Sequence, residues 1–220
     1  MKQREGIIFA AIGCLIFSSI IAAEAASIQI SGTGLDSSGT KLVPGSADPH
    51  YSVDGGNPTY VVTPSGFYAV SATSAWIWLN AAGTGANSTH TFATIFDLTG
   101  LDHLTAVVNG AWGADNYGRI LLNGNETGFS LPGPAPDIGN FGTLHSFSIT
   151  SGFVAGINTL AFVVVNVGDP AALRVDQPSG TAELAVVPLP GTIPLFATAI
   201  GATGLLYSRR KPKAAASIAG

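Results

Sequence analysis

Leu104-Thr105-Ala106-Val107-Val108-Asn109-Gly110-Ala111-Trp112-Gly113-Ala114-Asp115-Asn116-Tyr117-Gly118-Arg119-Ile120-Leu121-Leu122-Asn123-Gly124 contains short apolar runs separated by Asn or Asp beside small residues. No part of it keeps apolar residues at helical spacing for more than two turns. Asn-Gly and Asp-Asn pairs supply what a tight joint needs, a residue that tolerates positive φ or a side chain that caps the turn. The stretch therefore reads as a strand from Leu104 to Ala111, a turn at Asp115-Asn116, a strand from Gly118 to Leu122 and a hairpin tip at Asn123-Gly124.

The same grammar continues on both sides. Strands are expected at Thr59 to Thr63, Ala75 to Leu79, Thr91 to Asp97, Leu144 to Thr150, Thr159 to Val167, Ala171 to Val175 and Ala182 to Val186, with further joints at Asn109-Gly110 and Gly156-Ile157-Asn158. Many short strands and no sustained amphipathic helix predict an all-β fold, an antiparallel jelly-roll β-sandwich over residues 26–186. The proline-dense segment from Leu131 to Asn140 is expected to be a surface excursion. Trp76 and Trp78 share one face of their strand while Ile77 and Leu79 share the other, which favours a central buried strand over a sugar-stacking platform.

Charge and cysteine content narrow the function. Residues 26–186 carry three cations, Lys41, Arg119 and Arg174, against eleven carboxylates, so phosphate backbones are repelled and nucleic acid is not expected as a partner. Cys14 is the only cysteine. Without it a mature domain has no disulfide, thiolate metal site or cysteine nucleophile, and its stability must come from burial.

Both ends of the 220-residue chain read as targeting segments flanking the domain, each with a helix-forming apolar run. Lys2 and Arg4 precede an uncharged apolar run from Gly6 to Ala22 and a small-x-small exit at Ala23-Glu24-Ala25, the pattern of a signal peptide over residues 1–25, with a retained membrane helix as the alternative. The apolar run continues past Cys14, unlike a lipoprotein signal. Near the other end Val187-Pro188-Leu189-Pro190 leads into an uncharged run from Thr192 to Ser208 and then Arg209-Arg210-Lys211-Pro212-Lys213. Seventeen residues give a helix of roughly 26 Å, at the short end of what crosses a bilayer, and the basic stop places its C-terminus on the cytoplasmic side. A buried amphipathic helix would need a polar face, which the run lacks.

A Pro-x-Pro box, an apolar helix and an arginine-rich end, over residues 187–213 with a tail at 214–220, resemble the PEP-CTERM sorting signal of exopolysaccharide-producing Gram-negative bacteria. The common box has Glu where this chain has Leu189. The resemblance implies an exosortase-type processing enzyme as partner, anchoring in the membrane through the C-terminal helix before cleavage, and a final place at the cell surface or outside the cell. Within the domain, Phe96 to Leu101, Trp112 to Asn116, Ile120 to Gly124 and Phe153 to Leu160 together resemble a jelly-roll module recurrent in such proteins and similar to galactose-binding-like domains. This implies binding or scaffolding of exopolysaccharide or a cell-surface glycan.

No sequence motif for metalloprotease, nucleophile elbow, phosphate loop or dinucleotide binding is present. His50, His90, His103 and His145 are dispersed, and Glu126 and Glu183 are the only glutamates in the domain, so an enzyme is not expected. Asp115 and Asn116 carry two readings, an Asx turn that caps a strand joint or a calcium ligand pair; no other cofactor is expected. If a sugar site exists it is expected at that turn, with Trp112 and Tyr117 as flanking rings and Asp115 and Asn116 as polar ligands. The competing readings are an adhesion or spacer module without a ligand site and a glycan hydrolase.

Overall fold

The computed structural model describes residues 24–85, 87–133 and 138–186, with the backbone alone at Ile138. Most of the signal-peptide segment and all of the sorting residues, Val187, Pro188, Leu189, Pro190, Arg209, Arg210 and Lys211, lie outside the described residues, as do both flanking helices expected from the sequence. Internal contacts divide the chain after Leu184 into a first unit that contains every described strand and a second of which Ala185 and Val186 are described. Among the described residues no helix is long and apolar enough to cross a membrane.

The described chain is all-β. Its strands are β1 (Ala25–Ile28), β2 (Ala47–Val53), β3 (Asn57–Val61), β4 (Ile77–Trp78), β5 (Ser88–Asp97), β6 (Val107–Asp115), β7 (Tyr117–Leu122), β8 (Asn125–Leu131), β9 (His145–Ile149), β10 (Ile157–Asn166) and β11 (Ala172–Glu183). All pairings are antiparallel, in the order β8-β7-β10-β5-β2-β3-β4-β11-β6-β9, and β1 pairs with β11. The ribbon doubles over a shared core and becomes sandwich-like. Phe162 of β10 lies 5.6 Å from Trp112 of β6 and 6.2 Å from Phe147 of β9, so rings from opposite halves of the order meet. The core is aromatic at its centre, and Trp76, Trp78, Trp112, Phe92 and Phe162 are all buried.

Several expected elements change extent. Leu104 falls in a 3₁₀ turn at His103–Thr105, held by the Asp102 carboxylate that accepts from the Leu104 N–H, and the strand starts only at Val107. Asn109-Gly110 is no joint: both residues pair in mid-strand, Asn109 with Ser148 and Gly110 with Phe147. A Cβ at Gly110 would come within 2.6 Å of the Phe147 ring, so glycine serves close packing there and not a turn. The two runs expected at Ala171 and Ala182 join into β11 across a register shift between Asp176 and Ser179, where Pro178 lacks a ladder donor.

Three strands were not expected. β1 begins inside the presumed cleavage region, and β8 is mostly polar with Gly128 at positive φ. β2 contains Asp48 and Pro49, both poor strand formers. It is fixed instead by the buried Asp48 carboxylate, which accepts from the backbone N–H groups of Gly34 (2.6 Å), His50 (2.8 Å) and Tyr51 (3.2 Å). Part of the proline-rich excursion forms a short helix, α1 (Ile138–Gly142), which the sequence reading did not include.

Candidate functional site

β6 ends and β7 begins at Asp115-Asn116, a cis peptide. Asp115 is buried, and its Oδ2 accepts from the Tyr68 hydroxyl at 2.8 Å. Burial first, then the Asp115 charge and hydrogen bond, push the Tyr68 phenol far above its usual range. Asn116 Oδ1 accepts from the Val167 N–H at 2.7 Å, its own N–H donates to Val165 O at 3.0 Å, and its carbonyl accepts from Asn140 Nδ2 at 2.8 Å. These bonds tie the start of β7 to the end of β10 and to Asn140; the Asn116 side chain reaches a distant strand end and not the N–H two residues on that an Asx turn uses. Asp115 Oδ2 and Asn116 Oδ1 thus each accept from a protein donor, and Asp115 is buried.

Of the two expected flanking rings, Trp112 belongs to the core: it is 1% exposed, enclosed between the two layers, and offers no face to a ligand. The pattern that suggested a platform, a ring beside a polar turn, is produced equally by an inward-facing residue near a strand end. Trp76 and Trp78 are likewise buried, their indole N–H groups donating to Ala69 O and Thr84 O, as the burial reading has it.

Tyr117 is different. It is half-buried and lines an open depression of about 240 Å³. The strand register explains the site: Tyr117 of β7 pairs with Val165 of β10, which pairs with Thr89 of β5, so a ring, an aliphatic side chain and a hydroxyl stand in one row on the same face. Asn87, Ser88 and Asn166 close the end of the row. Asn166 is fixed, its Nδ2 donating to Gly85 O and its Oδ1 accepting from the Gly168 N–H. Among the described residues, the Tyr117 and Thr89 hydroxyls and the Asn87 amide have no protein partner. Gly133 approaches one side of the ring so closely that a Cβ would lie 2.4 Å from it, which fixes the ring's orientation.

The sequence reading named Tyr117 but missed Asn87, Thr89 and Asn166. Asn87 and Thr89 are close in sequence, but Tyr117 and Asn166 lie far from them in the chain, and only the cross-strand register brings the group together. The histidines remain dispersed: His50 Nε2 lies 3.1 Å from Asp36 O, His90 Nδ1 2.6 Å from Asp54, and His145 Nε2 2.8 Å from Gly139 O. Glu126 sits 3.2 Å from Arg119 on β7, while Glu183 ends β11. Among the described residues no three His, Cys, Asp or Glu side chains cluster as metal ligands.

No family model matches the chain, and no curated protein matches it. Among solved structures, the native structure of a family 35 carbohydrate binding module from Clostridium thermocellum is similar at 15% identity and a TM-score of 0.35, covering 60% of this chain and 90% of that one.

Proposed function

We propose that this chain is an exported, non-catalytic surface or matrix protein whose jelly-roll β-domain binds extracellular polysaccharide at the Tyr117 depression. The observation that carries this reading is the row Thr89–Val165–Tyr117 with free hydroxyl and amide groups beside it. A ring with an apolar face suits the C–H side of a pyranose, and neighbouring hydroxyl and amide groups suit its hydroxyls. In retention of the protein by purified exopolysaccharide in native gels, the wild-type chain is expected to be slowed. Tyr117→Ala, still folded by circular dichroism, should run freely. Equal mobility of the two proteins would leave an adhesion or spacer module, and release of labelled glycan products would instead indicate a hydrolase.

The delivery route belongs to the same proposal: export by the N-terminal signal, membrane anchoring by the C-terminal apolar run, and processing by an exosortase-type enzyme at the Val187-Pro188-Leu189-Pro190 box. Mass spectrometry of the protein accumulated in an exosortase-bearing Gram-negative host should find termini near Ala26 and near Pro188. A C-terminus intact through Gly220 in the membrane fraction would leave an ordinary single-span anchor.

A further inference from the structure

A second cleft, of about 190 Å³ and sharing no residue with the Tyr117 depression, opens beside β3, β4 and β11. Its lining is apolar: Leu42, Val61, Val62, Ala75 and Trp76 contribute to it. Trp76 is held in place by its indole bond to Ala69 O, 3.0 Å, and by the Tyr68 ring at 4.7 Å. Apolar surface continues outward from the opening. Val70, itself in the lining, is 95% exposed, and Val43 and Phe67, on the two chain segments that form the rim, are 69% and 71% exposed.

The charge at this cleft opposes that of the domain. Of the three cations in residues 26–186, two, Lys41 and Arg174, line it. Arg174 is buried and structural: Nε donates to Ser74 Oγ at 2.6 Å, Nη1 to Ala69 O at 2.8 Å, and Nη2 to the carbonyls of Ser71 and Ser74. These bonds hold the wall segment 69–74 in one shape. Asp176 is its counter-charge, held by Ser71 Oγ and Thr73 Oγ1. Lys41 is exposed and donates to Ser71 O at 2.9 Å, and among the described residues it forms no ion pair. Its remaining N–H donors are open at the mouth of an apolar cleft.

We infer that this cleft binds a small organic anion with an apolar body, an aryl or acyl carboxylate whose hydrocarbon part rests on Leu42, Ala69 and Val70 above the buried Trp76 ring while its carboxylate meets the Lys41 ammonium. The size is suitable, since cavities of about 150 Å³ accept a benzene ring. Lys41 gives the direction, because nothing else at the mouth distinguishes an anion from a neutral molecule of the same shape.

The test uses the ¹⁵N-labelled full chain and three probes of one shape, 3-phenylpropanoate, 3-phenylpropan-1-ol and 3-phenylpropylammonium. The carboxylate should shift the assigned Trp76 indole and Ser71 amide signals saturably, binding about fivefold more tightly than the alcohol, with the ammonium weakest. Lys41→Gln, at an exposed position, should reduce the carboxylate to the level of the alcohol. Val70→Asp, also exposed, should abolish carboxylate binding by adding a like charge at the rim. The inference is overturned if the carboxylate leaves the Trp76 signal unmoved, if the alcohol or ammonium binds wild type as tightly, or if either variant keeps the preference.

Discussion

Asp48 shows how one side chain can settle a strand against its own propensity. Burial pushes its carboxyl above the ordinary 3.8, and the N–H bonds from Gly34, His50 and Tyr51 oppose that rise without cancelling it. The folded protein then holds this proton more tightly than the unfolded chain does. The contribution to stability is fully present below 3.8 and is lost as pH rises through the raised value. Asp48→Asn cannot titrate and gives the three donors only one acceptor oxygen, so it should destabilise the fold by about 1–3 kcal/mol. In urea unfolding across the acid range, the gap between wild type and variant should be widest at the acid end and narrow with rising pH. Single residues were unevenly legible. The burial of Trp76 and Trp78 follows from an apolar residue between them, whereas Trp112 has a sequence neighbourhood equally suited to a surface ring. Nothing local marks Asp48 as buried.

At the scale of elements, the motifs that suggested a jelly-roll module turn out to hold one another. Asn123, at the β7–β8 hairpin with φ +52°, donates through Nδ2 to Asn158 Oδ1 at 2.8 Å and accepts from the Thr159 N–H at 2.9 Å. Asn158, fully buried, donates to Val154 O and Gly156 O and also accepts from the Val154 N–H. The two Asn-containing joints, distant in sequence, thus form one polar clasp across β7 and β10. Asn158→Ala should cost about 2–4 kcal/mol by leaving several of these buried groups unpaired, while Asn109→Ala, exposed in mid-strand, should change stability by less than about 0.5 kcal/mol; chemical denaturation of both variants checks the contrast. β10 was readable because its run of Leu, Phe and Val makes both faces apolar, and β5 because Phe92 and Phe96 alternate with exposed positions. β8 and β2 were not, since partners across the sheet and a buried carboxylate supply what their composition lacks.

For the whole molecule, the all-β class followed from the spacing of short apolar runs, but the order of strands did not, because periodicity carries no information about which strands pair. The Tyr117 row and the Lys41 cleft were out of reach for the same reason, each joining residues from separate parts of the chain. The pairing order also makes β11 a hub: it binds β1, β4 and β6. A chain truncated after Ala171 should therefore show no cooperative unfolding transition by circular dichroism, whereas the intact chain shows one.

β1 finds its partner only when the ribosome has passed Glu183, on the order of eight to thirty seconds after the first strand emerges. Until then β1 has no strand to pair with, and the β6–β9 pair is not joined to β4. The nascent chain stays threadable for most of its synthesis, a property that suits any passage through a narrow channel, and the last strand to emerge is the one that ends that period.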